Sequence, residues 1–400
     1  MASSRTILIA GGGIAGLVAA LALAKNGFRA VVFEQSTRLE PIGAGIQLSP
    51  NAMHVLLALG LGDALKPHAV SPENVRIRKA SSGSDIVRVP LGDYAQQRYG
   101  APYWVIHRGD LQAVLLDAVR GNPDITLTLG AKVQDFAVHA NGITAQIGLD
   151  SRATEERCVG LIGADGLWST IRQRLGYTDP PHFRKRTAWR AVVPTDAVPN
   201  EMREPSVNLW LGRHAHLVHY PIRAGRAINM VAILRESVPK TGWNNVGSRD
   251  EILSAFHKWA VPARNIVAAP KDWTTWTLYD RPRLRRWGNG PITMIGDAAH
   301  PMLPFLAQGA AMAIEDAAVL ADCLAKSPDD PTSAMRRYEA LRNDRATRAQ
   351  KAAARNGTRY QASGVEAAVR NTTLRMMGGA GLLKRYDWLY GWRMTPGMPR

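Results

Sequence analysis

The chain has 400 residues, 46% of them hydrophobic, with 50 Lys+Arg against 33 Asp+Glu, a formal net charge of +17 and two cysteines. This length and apolar content provide core enough for two or three domains, and Cys158 with Cys323 cannot build a disulfide framework, which fits a reducing, cytoplasmic setting. No segment offers the roughly 20 uninterrupted apolar residues of a membrane span, which excludes that class.

In chain order, Thr6–Ala10 reads as a strand, Gly11-Gly12-Gly13-Ile14-Ala15-Gly16 as a glycine-rich turn, Ile14 to about Asn26 as a helix, and Val31-Val32-Phe33-Glu34 as a second strand ending in an acid. The apolar start after Arg5 resembles a signal peptide, but glycines interrupt it and Lys25-Asn26-Gly27 ends it, so the expectation is strand plus helix with no export. The order strand, glycine turn, helix, acid is that of the dinucleotide-binding βαβ unit. Gly11 would permit the tight turn, Gly13 would let a pyrophosphate approach the backbone, and Gly16 would let the helix pack close to the strand. Glu34, with Gln35 beside it, would accept ribose hydroxyls, and the helix N-terminus would turn its free N–H groups and positive dipole end toward phosphates.

Gly43-Ala44-Gly45-Ile46-Gln47-Leu48-Ser49 then reads as a glycine-punctuated loop entering a helix, and Tyr103–His107 as a strand running into a helix capped by Asp110. Ile125–Leu129 and Gly142–Ile147 are expected in one small antiparallel meander. Leu161–Arg172 gives strand, sharp turn and helix around Asp165-Gly166, and Arg186 to Arg235 is β-rich. Pro291–Ile295 is a last buried strand before the turn Gly296-Asp297-Ala298-Ala299-His300-Pro301, with Gly309 and Ala310 opening another helix. From Lys326 onward 15 Lys+Arg face 6 Asp+Glu. That balance suits nucleic acid or an acidic membrane surface, but the helical spacing from Arg336 and the lack of a recognition motif favour a solvated basic helix face and no nucleic acid. Gly378-Gly379-Ala380-Gly381 reads as a helix break.

With G-x-G-x-x-G and Glu34, G-A-D-G-x-x-S-x-x-R at Asp165, and G-D-A-A-H-P at Asp297 in this order, the chain resembles the single-component flavoprotein aromatic hydroxylases from Thr6 to about Arg348. Within that family, His107-Arg108-Gly109-Asp110-Leu111, Trp189-Arg190 and His300-Pro301-Met302-Leu303-Pro304 look most like salicylate, 3-hydroxybenzoate and 6-hydroxynicotinate hydroxylases. The resemblance implies an α/β fold: a Rossmann-like FAD-binding domain from segments 1–75, 100–180 and 280–330, an inserted mixed β-sheet substrate domain from 76–99 and 181–279, and C-terminal helices over 331–400. It implies bound FAD, NADH or NADPH as transient reductant, O2 and a small aromatic carboxylate as substrates, a flavin hydroperoxide as oxidant, a role in aromatic compound catabolism, and no metal. A homodimer is left open.

The resemblance also gives the motifs roles. Gly11, Gly13, Ile14, Ala15, Gly16, Glu34 and Gln35 would hold the adenosine diphosphate part of FAD, Arg108 its phosphates or ribityl chain, and Asp297 a ribityl hydroxyl. Gly309 and Ala310 would place N–H groups near the flavin pyrimidine carbonyl, and Pro304 a carbonyl beside the ring. Asp165 would serve FAD and the nicotinamide, or else cap a helix at Leu167, and His300 would be a structural turn residue. Gln47 is counted among the cofactor-binding residues and stands where the 6-hydroxynicotinate enzymes have a His; with Pro304 and the aromatic Phe305 suiting a compact pocket, this turns the expectation toward a hydroxybenzoate, salicylate first.

An electrophilic oxygen needs an electron-rich ring, and a phenol becomes one on losing its proton, so a base is expected. On a strand, His214, His216, Val218 and Tyr220 share one face and His219 takes the other. His216 and Tyr220 match the family's H-x-x-x-Y pair, His216 as base and Tyr220 as its hydrogen-bonding partner; ordinary satisfied strand residues are the alternative. Arg190 is a candidate for the substrate carboxylate. A flavin dehydrogenase or oxidase of the same fold would share the cofactor motifs without needing the base.

Overall fold

The computed structural model describes residues 5–39, 44–149, 152–239 and 245–394; Gly43 of the anticipated loop lies outside them. Thr6–Ala10 is buried at every position, as an uninterrupted apolar run must be when helices cover both faces of a sheet. It forms the centre of a five-stranded parallel sheet in the order Ile292–Met294, Gly160–Gly163, Thr6–Ala10, Arg29–Glu34, Ile125–Leu129. The helix Ile14–Lys25 is apolar nearly all round and correspondingly buried, packed between this sheet and the helix Gly309–Lys326.

An eight-stranded sheet stands apart from the parallel one. Its strands run Asn245–Gly247, Trp273–Asp280, His182–Pro194, Ala227–Arg235, Ala215–Ile222, Ser206–Leu211, Asn74–Lys79, Asp85–Pro90, antiparallel except where Ser206–Leu211 lies parallel to Asn74–Lys79. One face packs Trp189, Trp210 and Trp273 against helices Arg249–Phe256 and Val261–Ala268. The opposite face carries His216, Val218 and Tyr220 toward the C-terminal helices Pro331–Tyr360 and Gly364–Lys384.

Several local expectations are corrected. Ile125–Leu129 is an edge strand of the parallel sheet, and the meander consists of Ala131–His139, Gly142–Leu149 and Arg152–Cys158. Gly45–Leu48 is a strand rather than loop, because its backbone pairs with Trp104–His107. His107, not Asp110, caps the helix Arg108–Arg120, its Nδ1 accepting the Gly109 N–H at 3.2 Å. His214 precedes its strand at φ 59°, so it leaves the face His216 occupies. The helix break is observed at Gly378, φ 63°, where the next glycine lies so close to the Arg88 carbonyl that a Cβ would overlap it at 1.8 Å.

The basic C-terminal helix is not only a solvated face. Arg342 is buried, with Nε 2.7 Å from Asp316 Oδ1 and a second ion pair to Glu315; Arg345 meets Glu315 at 2.6 Å. His300 Nε2 lies 2.5 Å from Asp316 Oδ2, and Asn51 donates to Glu315 at 2.6 Å. These groups tie the turn around Asp297 to both long helices, and His300 is the structural residue its position suggests.

Candidate active site

Two cavities flank the segment Pro301–Ala307, and Pro304 lines both. The first is a cleft of about 700 Å³ over the C-terminal edge of the parallel sheet, lined by Gly11, Gly13, Glu34, Gln35, Arg108, Asp165, Arg190 and Asp297 among others. Its floor is backbone. Gly11 has φ 107°, and a Cβ there would lie 2.5 Å from the Ala164 carbonyl; at Gly16 it would lie 1.9 Å from the Gly11 carbonyl. At Gly13 it would meet nothing within 4 Å, so that glycine opens onto space. The helix that follows has no side-chain cap and no acid in its first turn, which leaves its N–H groups to a ligand. Glu34 is buried, each carboxylate oxygen accepting one backbone N–H: Gly12 at 2.7 Å and Ser36 at 2.8 Å. It retains lone pairs for further donors.

Asp165 does cap a helix, but at Thr170 rather than Leu167: Oδ2 accepts from Thr170 N at 2.7 Å and Ile171 N at 3.1 Å. Its Oδ1 is buried and has no hydrogen-bond partner among the described residues, and burial raises its carboxyl pKa. Asp297 is exposed to the cleft; desolvation by the protein around it raises its carboxyl pKa, opposed by His300 and Arg108. Arg190 lies in this cleft with its guanidinium 4.3 Å over Trp276, its pKa lowered to about 10 by burial and by Arg108. It does not line the cavity that holds His216, which places it away from the carboxylate role first considered. A glycine floor that a Cβ would block, an uncapped helix end and a buried acceptor without a donor fit an extended dinucleotide such as FAD. Ile14, Ala15, Gly16, Gly309 and Ala310 are not among the residues lining these two cavities, although both helix N-termini border the same turn.

The second cavity, about 660 Å³, lies between the large sheet and the C-terminal helices and is mainly apolar. His216 lines it, with Phe305 and Tyr360 each edge-on at 5.4 Å. Burial, with Arg186 adding to it, lowers the imidazole pKa to about 3, so the ring is neutral. Val218 shares the wall, as strand parity requires, while His219 turns to the other face against Trp210. Tyr220 lies behind the wall, so close to Gly45 that a Cβ there would sit 2.5 Å from its ring. Burial raises its pKa, and its hydroxyl meets Gln47. Gln47 itself lines this cavity and not the cleft, accepting from Tyr103 Oη at 2.6 Å. Phe305, the aromatic beside Pro304, lines the cavity and is buried, whereas Tyr360 and Gln361 carry no motif and no sequence signal pointed to them.

An FAD-binding domain family model matches residues 4–353. The chain is 35% identical over 393 residues to the 3-hydroxybenzoate 6-hydroxylase of Klebsiella oxytoca, covering 98% of each, and 34% identical to the 6-hydroxynicotinate 3-monooxygenase of Pseudomonas fluorescens, covering 88% of this chain and 91% of that one. It superposes on a salicylate hydroxylase substrate complex with TM-score 0.83 at 25% identity, covering 98% and 96%. The chain belongs to the FAD-dependent aromatic hydroxylases. The hydroxylase thus has the α/β fold and the flavin cofactor its motifs imply.

Proposed function

We propose that this hydroxylase adds oxygen to a phenolic benzoate, with 3-hydroxybenzoate ahead of salicylate, using NADH or NADPH as transient reductant. Full-length likeness to 3-hydroxybenzoate 6-hydroxylases supports the order, and Gln47 in place of a histidine argues against a hydroxypyridine. Bound FAD, once reduced, supplies the activation of O2. The protein's contribution is placement.

Gly11, Gly13 and the helix end at Ile14 and Ala15 would receive the pyrophosphate, Glu34 and Gln35 the adenosine ribose, and Arg108 and Asp297 the linking chain. Gly309 and Ala310 would border the flavin ring. His216 would hold the hydroxyl end of the substrate, with Gln47, Tyr103 and Tyr220 forming a hydrogen-bonded wall nearby. Among the cations, Arg359, Arg370 and Arg385 line this cavity and could meet a carboxylate. The observation that carries the reading is that the cleft and the His216 cavity share Pro304, so a ring in one and a phenol in the other are neighbours. Screening 3-hydroxybenzoate, salicylate and 6-hydroxynicotinate for stimulated NAD(P)H oxidation, with product mass, tests it. Stimulation by a hydroxybenzoate with a gain of one oxygen is expected; stimulation by 6-hydroxynicotinate alone would overturn the substrate class, and reductant use without oxygen transfer would favour a dehydrogenase or oxidase.

A further inference from the structure

Gln361 follows the helix Pro331–Tyr360 and is buried against His216. Its amide is clamped by two groups of fixed polarity. Arg186 Nε, which can only donate, lies 3.1 Å from Oε1, and the Ile233 carbonyl, which can only accept, lies 3.2 Å from Nε2. Turning the amide over would set oxygen against a buried carbonyl and NH2 against a half-buried guanidinium, so its surroundings decide which end is which. The NH2 end also faces His216 Nδ1 at 3.4 Å, a long contact but an oriented one. An N–H aimed at a neutral imidazole nitrogen needs a lone pair there, which puts the ring proton on Nε2. Phe305 and Tyr360, edge-on at 5.4 Å, hold the ring against exchange of its nitrogens.

We propose that Gln361 is a positioning residue that keeps His216 in its Nε2–H tautomer, so that the imidazole offers a hydrogen-bond donor to an anionic oxygen in the cavity. This rests on His216 facing the substrate hydroxyl and sharpens that reading in place of the base expected from sequence: the group matched is a substrate oxygen already ionised as phenolate, which His216 stabilises by donation and does not itself deprotonate. At a buried imidazole such a bond counts for more than in solvent. Gln361 acts on the substrate only through the imidazole.

The test is the 15N spectrum of the FAD-loaded protein carrying labelled histidine, with the His216 resonances assigned by their loss in His216→Ala. The expected result is a protonated Nε2 and an unprotonated Nδ1. In Gln361→Glu the carboxylate accepts from Nδ1–H, so the proton should move there and kcat should fall about tenfold with a smaller change in KM. A wild-type Nδ1 that carries the proton overturns the proposal even if Gln361→Glu does not fold, and so does a tautomer unchanged in a folded Gln361→Glu. Wild-type hydroxylation by His216→Ala would instead sink the reading of His216 while leaving the tautomer result in place, so the two failures are distinguishable.

Discussion

Gly11, Gly13 and Gly16 shape the cofactor cleft by lacking atoms, whereas His216, Phe305 and Tyr360 shape the substrate cavity by supplying them. The cleft is a product of backbone: a turn, two helix ends and a strand terminus whose N–H groups and carbonyls do the binding. The cavity is a product of side chains drawn from a sheet face, the Gly45–Leu48 ribbon and helices more than a hundred residues further on. Both sites depend on the segment from Gly296 to Gln308 that divides them, and that segment is anchored from beneath by Asp316. A change in one wall should therefore affect one function, while a change in the anchor should affect the whole molecule.

The largest separation of the two should come from His216→Ala, with hydroxylation falling about 100-fold, a typical loss for an acid-base or hydrogen-bonding group at a reacting proton, while flavin fluorescence titration shows unchanged FAD affinity. Equal loss of both would erase the distinction. Next is the shared anchor. Burial pushes the Asp316 carboxyl up, but His300 and Arg342 outweigh it and hold it at about 2, below the ordinary 3.8. Its folded-state pKa is depressed, so its stabilisation is complete above the unfolded value and is lost as pH falls from about 4 through 2. That contribution is roughly 2 kcal/mol, measurable as thermal stability against pH, and it should shrink in Asp316→Asn.

Gly13→Ala sharpens the cleft side. Because its Cβ would touch no protein atom, melting temperature should hold while FAD affinity falls about tenfold, a loss that reports the ligand and not the fold. An unchanged affinity would remove the pyrophosphate from this position. The smallest effect is expected from Gly357→Ala, whose Cβ would sit 2.4 Å from the Phe305 ring. Pushing that ring toward His216 should raise substrate KM about threefold, with FAD affinity untouched; a rise in FAD dissociation instead would place Phe305 on the wrong side of the divide.

The same contrast explains what could be read from the chain alone. Gly11, Gly16 and Glu34 are legible because a backbone site demands glycine at fixed spacing, and the consecutive buried residues of Thr6–Ala10 declare a parallel strand. His216 is legible because imidazole chemistry is rare and strand parity assigns its face. Tyr360 and Gln361 are not, since an aromatic and an amide at a helix end have no periodic signature and acquire meaning only when that helix crosses the sheet. Ile125–Leu129 was misplaced for a related reason: its alternating Thr and Leu suit an antiparallel edge as well as a parallel one, and only pairing with Arg29–Glu34 decides. The buried Arg342 and the partly buried Arg345 show the limit of charge patterns, for their partners lie in another helix.

The account stands on an oxygen atom passing from the cleft to the cavity across Pro304. Turnover of the FAD-loaded enzyme with 3-hydroxybenzoate and NAD(P)H under 18O2, followed by mass analysis of the product, measures that passage directly. The account predicts one labelled oxygen in a dihydroxybenzoate; oxidation of NAD(P)H with the aromatic acid recovered unlabelled and unchanged, whichever hydroxybenzoate is supplied, would contradict it.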